Sequence, residues 1–353
     1  MTIILVIIAL SLLILVHEAG HFFAAKMFGI KVTEFGIGFP PKLFSKKVGE
    51  TEYSINLLPF GGFVRIFGED EESIKEVDEK EKKRAFVNQK TWKKSVVILA
   101  GVIMNIFLAW ILLSSVFMIG AESHLGVSNV SENSPAMLAG IEAGDMITEA
   151  RAGEEALTDP ISVEEFISFA EQNITEEINL SILRGEQAIN VSLMGRENPP
   201  EGEGSIGIAL VDAGFEEMGF FKAIIEGLNY TWQSLVLIFS SFVTLIVGLF
   251  TSSGAAENLT GPVGIFVIAK DAAGLGLIYL FQLTAIISLN LAILNLIPFP
   301  ALDGGRFLVI LAEKIKGSAI STKVQAGINT FGFILLLLLM IFVTIKDIGR
   351  FIL

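Results

Sequence analysis

Four stretches of this 353-residue chain, Thr2–Ala25, Ser95–Gly120, Leu275–Ile297 and Phe331–Ile345, are apolar enough to be read as membrane helices. A span needs about 20 such residues. No water reaches peptide groups in hydrocarbon, so a spanning segment must close its own hydrogen bonds as a helix or a sealed barrel. A fifth stretch, Leu228–Phe250, is equally apolar. Charged residues make up only 18% of the chain, against ~25% in soluble domains. Twenty-eight phenylalanines exclude a disordered chain. The absence of cysteine excludes disulfides and any Cys-ligated zinc or iron–sulfur site. A net charge of −13 argues against nucleic acid as a partner.

The first stretch is read as a retained span. It lacks the basic leader and small-x-small cleavage pattern of a signal peptide, and it carries ionisable residues. Lysines follow it at 26, 31, 42, 46 and 47, and Lys82, Lys83, Arg84, Lys90, Lys93 and Lys94 precede the second stretch. Lys314, Lys316 and Lys323 lie between the last two stretches. Positive loops stay in the cytoplasm, so the N-terminus and the segment after Gly120 are expected outside. Residues 120–225 hold twenty acidic and four basic side chains, a net −16 that leaves +3 for the rest. The acidity of the chain belongs to its expected outer part.

Inside the first stretch lies His17-Glu18-Ala19-Gly20-His21. Residues at i and i+4 share a helix face, so both imidazoles can bind one zinc ion with Glu18 beside it as general base. Charged groups within a span are costly unless they serve a function, and two of the three histidines in the chain fall at this spacing. A catalytic zinc takes three protein ligands. The remaining histidine, His124, is expected on the other side of the membrane, so the third ligand should be a carboxylate. Asp303, in Asn295-Leu-Ile-Pro298-Phe-Pro300-Ala-Leu-Asp303-Gly304-Gly305, ends a span broken by two prolines. A loop carboxylate at a membrane boundary is the plainer alternative for it.

HEAGH in the first span and NLIPFPALDGG in a late one together resemble the site-2 protease family of intramembrane zinc metalloproteases. Ala100-Gly101-Val102-Ile103-Met104-Asn105 is similar to the family's A-G-x-x-x-N segment, and Gly261-Pro262-Val263-Gly264-Ile265 to its G-P-x-x-I segment. The resemblance runs nearly end to end. It implies Zn2+ held by His17, His21 and Asp303, and Glu18 as base. Asn105 and Asn295 are candidates for binding substrate backbone, with helix–helix hydrogen bonding the equally good alternative.

The fold class expected is a polytopic α-helical membrane protein of four transmembrane helices, with a small membrane-associated β-element and an inserted α+β PDZ-like domain. The layout is 1–30, first helix with HEAGH; 31–94, cytoplasmic-side β-element and charged linker; 95–120, second helix; 122–212, PDZ-like domain. There follow 213–274, an interfacial or re-entrant segment; 275–305, third helix with LDGG; and 306–353, a loop and the fourth helix. Leu228–Phe250 sets two rules against each other. Its length favours a span, but a further crossing would reverse the next helix and carry Asp303 to the wrong face. Metal geometry therefore argues that it does not cross.

Val32–Ile37, Glu52–Leu57 and Phe63–Ile66 read as short strands. The family's counterpart is a sheet beside the active site, whose edge can hold a substrate extended by strand addition. Gly61, Gly62 and Phe63 are the candidate contacts, a purely structural loop being the alternative. Glu69–Glu81 reads as a solvated linker. Leu125-Gly126-Val127, Asn133–Ala136 and Ala139–Ile147 resemble a bacterial PDZ domain, with Val163–Glu171 as its helix, Ile178–Leu183 and Ala188–Leu193 as strands around Arg184-Gly185-Glu186, and 199–204 as a loop. Such a domain takes a peptide ligand, or acts only as a size filter.

The function expected is hydrolysis of peptide bonds within transmembrane segments of single-span proteins, such as anti-sigma factors or signal-peptide remnants, in a bacterial inner membrane. The alternatives are a non-proteolytic zinc-binding or transport protein and a PDZ scaffold with an inactive site.

Overall fold

The computed structural model describes residues 2–69, 77–184, 187–200, 203–251 and 261–351. Most of the Glu69–Glu81 linker, the tip at 185–186 and part of the 199–204 loop fall outside the described residues. The chain forms two compact units, residues 1–114, 224–273 and 279–353 in the first, 115–223 and 274–278 in the second.

Among the described residues the first unit is helical apart from one sheet. Helix α1 (Thr2–Met27) leads into strands β1 (Val32–Val48) and β2 (Thr51–Ile66), then a single turn α2 (Glu79–Lys82) and helix α3 (Thr91–Ile119). Alpha-helical neighbours of α3 must come close, and two glycines allow it. A Cβ on Gly20 would run into the Ala100 carbonyl, and one on Gly101 would lie 2.6 Å from His21 Nε2. His21 faces Val97 and His17 faces Asn105, so α3 runs against α1.

Strands β1 and β2 are longer than the short pieces read from sequence, and Pro40 and Pro41 lie within β1. Phe35 pairs with both Val64 and Tyr53, and Ile37 with both Gly62 and Ile55. The two strands therefore lie as four segments, with 61–66 along one edge and 42–48 along the other. The first edge packs toward α1: Gly61 sits against Ile14 and Gly62 against Leu15. The far part leaves Phe39, Leu43, Phe44, Ile55 and Leu57 exposed, a larger apolar surface than a soluble sheet normally shows.

In the second unit, β3 (Ala121–Val130), α4 (Pro135–Leu138), β4 (Met146–Ala152), β5 (Glu155–Thr158), α5 (Val163–Gln172), β6 (Glu177–Arg184), β7 (Gln187–Met194) and β8 (Ile208–Phe215) follow in order. They build one sheet in the order β7-β6-β4-β3-β8, with β5 added on β4. Alternation along β6 buries Ile178, Leu180 and Ile182 against Phe166 and Phe169 of α5. Helix α5 starts at a capping box, where the Ser162 hydroxyl accepts from the Glu165 N–H and the Glu165 carboxylate accepts from the Ser162 N–H. That pairing satisfies two of the orphan donors every helix start carries. Buried Asp145 is held by both Nε and Nη2 of Arg184 at 2.7 and 2.8 Å.

The chain returns through α6 (Phe220–Thr251), α7 (Pro262–Leu275), α8 (Leu277–Leu296), α9 (Asp303–Lys316) and α10 (Thr322–Phe351). Helix α6 is uninterrupted over 32 residues, so Leu228–Phe250 does not fold back on itself as a hairpin. Tyr230, Leu235 and Ile238 of α6 join a core with Ala109 and Leu113 of α3 and Ala285 and Leu289 of α8. Leu5, Val6 and Ala9 of α1 cluster with Leu280 and Leu283 of α8. With Asp303 lying by His17 just beyond the far end of α8, α1 and α8 run the same way. Gly261 and Gly264, at the start of α7, both donate backbone N–H to the buried Asp347 carboxylate of α10. Among the described residues five helices, α1, α3, α6, α8 and α10, are long and apolar enough to cross a membrane, one more than the four expected.

Candidate metal centre

His17 and His21 lie one turn apart on α1, both buried. The Pro298–Leu302 turn, in which Ala301 takes a left-handed φ of 72°, aims the chain into α9, and Asp303 is the first residue of that helix. Three atoms converge. His17 Nε2 lies 3.2 Å from His21 Nε2, and Asp303 Oδ2 lies 3.0 Å from the first and 3.3 Å from the second. Among the described residues this is the one trio of its kind.

This triangle suits a zinc ion. With bonds of 2.0–2.2 Å, a tetrahedron has edges of about 3.3 Å, close to each side observed. Asp303 Oδ2 is buried with no hydrogen-bond partner, as an oxygen reserved for a cation would be. His21 Nδ1 faces the Val97 carbonyl at 2.8 Å. A carbonyl only accepts, so Nδ1 carries the proton and Nε2 presents a lone pair to the centre of the triangle.

The other expected site residues divide. Glu18 Oε2 accepts the Val64 backbone N–H at 3.1 Å, which ties the carboxylate to the 61–66 edge. Phe63, Asn105 and Asn295 line the same cavity of about 360 Å³ as His17, Glu18, His21 and Asp303. Gly61 and Gly62 instead face α1 and allow the strand its close approach. Asn105 has no accessible surface; its Nδ2 lies 3.3 Å from His17 Nδ1 and its Oδ1 has no hydrogen-bond partner. His124 pairs with Asp159 in the second unit.

The sequence reading missed Arg306 and Glu69. They form an ion pair at 2.8 Å on the cavity wall. Arg306 stands one turn after Asp303 in α9, and that i, i+3 spacing was the available signal. Nothing in the sequence marks Glu69 as its partner.

Comparison with known proteins agrees with this chemistry. Residues 5–339 match the description Peptidase family M50. A Clostridium perfringens protein provisionally named a zinc metalloprotease is 38% identical over 349 residues, which cover 99% of this chain and 98% of that protein. The regulator of sigma-W protease RasP of Bacillus subtilis is 30% identical, with 99% and 98% covered. The chloroplastic membrane metalloprotease ARASP of Arabidopsis thaliana is also 30% identical, with 97% and 77% covered. The reading as a transporter or inactive scaffold thus loses its ground. With its apolar helices, its histidine–carboxylate trio and a match over almost its whole length, the chain belongs to peptidase family M50, the site-2 proteases, as a membrane-integral zinc metalloprotease.

Proposed function

We propose that this protease cuts peptide bonds within, or at the edge of, membrane-spanning segments of single-span proteins. The observation that carries the reading is the location of His17, Glu18 and His21 within a helix long and apolar enough to cross a bilayer. His17 stands fifteen residues after Thr2, about 22 Å along the axis. A group at that depth meets chains that are themselves in the membrane.

In this proposal His17, His21 and Asp303 hold zinc, which when bound supplies Lewis acidity and acidifies an attacking water. Glu18 takes the proton from that water and returns it to the leaving amine nitrogen. The Val64 amide keeps its carboxylate aimed while it does so. A helical substrate hides its carbonyls in hydrogen bonds, so it must unwind. The 61–66 edge, which carries Val64, offers main-chain groups to an extended strand. Phe63 would pack on its side chains, Asn295 would bind its backbone, and Gly61 and Gly62 would let the edge approach.

Four helices, α1, α3, α8 and α10, would cross. Five alternating crossings would set α8 against α1, and the two run the same way. Helix α6 would then rest on α3 and α8 without completing a crossing. The N-terminus and the second unit, read as a PDZ-like domain, would lie outside and the zinc towards the cytoplasm. The exposed apolar residues of β1 and β2 would contact lipid. The PDZ-like domain would hold a peptide or screen substrates by size. Anti-sigma factors or signal-peptide remnants are the substrates this reading favours, the first because a relative is named as a regulator of sigma-W.

Reconstituted protein should cleave a tagged single-span substrate inside its span, with the sites mapped by mass spectrometry. Glu18→Gln should keep zinc and lose cleavage, and membrane fragments accumulating in cells with this variant would identify the substrates. Cleavage confined to soluble loops would overturn the reading. Because the chain has no cysteine, a single Ser253→Cys substitution tests the topology. Labelling from the cytoplasmic side would refute four spans.

A further inference from the structure

The amide of Asn105 has a task that the zinc chemistry itself defines. Asn105 is fully buried in α3, with its amide Nδ2 placed 3.3 Å from His17 Nδ1 and its Oδ1 left without a hydrogen-bond partner. Its own main-chain carbonyl accepts a hydrogen bond from the buried Ser288 hydroxyl of α8 at 2.9 Å. Three helices thus meet at this residue: α1 through His17, α3 through its backbone, and α8 through Ser288. One turn earlier, Gly101 lies directly against both imidazoles, so the two rings are backed by α3 along their whole contact.

His17 Nε2 faces Asp303 Oδ2 at 3.0 Å and His21 Nε2 at 3.2 Å. For that nitrogen to offer a lone pair to a cation, the ring proton must sit on Nδ1. An amide N–H facing an imidazole N–H would be repulsive, so the amide must present its oxygen. The two ends of an amide have nearly the same shape, and the hydrogen-bond network decides between them. We propose that Asn105 is a positioning residue. Its Oδ1 accepts the His17 Nδ1 proton, which fixes the tautomer and the ring plane so that Nε2 points at the metal. His21 receives the same service from the Val97 carbonyl, so each histidine is oriented by one acceptor on α3. Asn105 lines the cavity but has no accessible surface, which favours the imidazole over substrate as its partner.

This inference rests on the assignment of His17 as a zinc ligand, and the test separates the two. The full chain in detergent is stripped of metal, and its Zn2+ affinity is measured by competition with a chromogenic chelator. His17→Ala should lose tight binding; if it does not, the ligand assignment fails. Asn105→Leu, similar in size and without an acceptor, should weaken Zn2+ about 10- to 100-fold, the usual effect of removing a partner of a metal-bound histidine. Excess zinc should restore its turnover with KM unchanged. Asn105→Asp keeps an acceptor and should stay within about threefold of wild type, well inside that range. Wild-type affinity in Asn105→Leu, or a raised KM that zinc does not correct, would overturn the proposal. If Asn105→Leu does not fold, Asn105→Asp still decides. Retained affinity and turnover support an acceptor role, and retained affinity with lost turnover shows that the amide N–H serves substrate.

Discussion

Gly101→Ala tests how tightly the metal site depends on the approach of two helices. The new Cβ would lie 2.6 Å from His21 Nε2, 2.7 Å from His17 Cε1 and 2.8 Å from His17 Nε2. Carbon contacts relax near 3.5 Å, so the methyl must open a gap of about 0.8 Å. Val97 and Ile98, one turn before Gly101, share a buried core with Ala24 and Ala25 of α1, so α3 can draw back only by opening those contacts. Zinc sites tolerate ligand errors of about ±0.2 Å. The rings must therefore move about four times too far, and zinc affinity should fall at least 10- to 100-fold, as in the loss of an orienting partner. Overpacking would add a stability loss of about 1–3 kcal/mol. Chelator competition and cleavage of a model span measure the first effect, and thermal unfolding of the metal-free protein measures the second. Gly327→Ala, in a helix with open space around it, is the control and should leave zinc binding unchanged. Wild-type affinity and turnover in Gly101→Ala would refute the argument that this glycine exists to admit the imidazoles.

Asp347→Ala leaves the amides of Gly261 and Gly264 without their buried carboxylate; charge-assisted bonds of this kind imply a loss of about 2–3 kcal/mol, visible as an unfolding midpoint several degrees lower, and an unchanged midpoint would contradict it. Hydrogen bonds from Arg84 and Lys26 lower the Glu50 carboxyl from its ordinary value to about 2. A carboxyl lowered on folding stabilises above its unfolded pKa, and that contribution fades as pH falls from about 5 to about 2. Glu50→Gln should therefore cost about 1 kcal/mol at neutral pH, discounted for its partly solvated partners, and the variant should converge with wild type near pH 2. Ser162→Ala removes the cap of α5 and should destabilise it by about 1 kcal/mol, read as faster hydrogen exchange in its first turn. Ala301→Gly relieves a left-handed alanine before Asp303 and should stabilise by up to about 1 kcal/mol, with zinc affinity retained.

Local chemistry made the proposed metal ligands legible. The i, i+4 histidines in an apolar run need no tertiary information to share a face, and a proline-broken span ending in Asp303 stands out in any reading of the chain. Apolar length likewise announced the membrane helices, and the same rule is why it could not separate α6 from the others. Hydropathy counts residues, whereas the direction of a helix is set by its neighbours. Only the clustering of Val6 with Leu280, and of His17 with Asp303, shows α1 and α8 running the same way.

The sequence also could not tell a partly exposed asparagine from a buried one that faces a ring. Asn105 and Asn295 are alike as polar residues in apolar helices, and burial against His17 distinguishes them. Arg306 was within reach of spacing arguments, but its partner Glu69 lies 237 residues away, and no local pattern couples them. The amino-acid sequence by itself determined the metal chemistry and the membrane setting, because both depend on residue type and short-range periodicity. Tertiary packing alone decided the triangle of ligand atoms near 3 Å, the edge strand tied to Glu18 and the amide behind His17. Those are distances between elements far apart in the chain, and the last is set by how closely Gly20 and Gly101 let α1 and α3 approach.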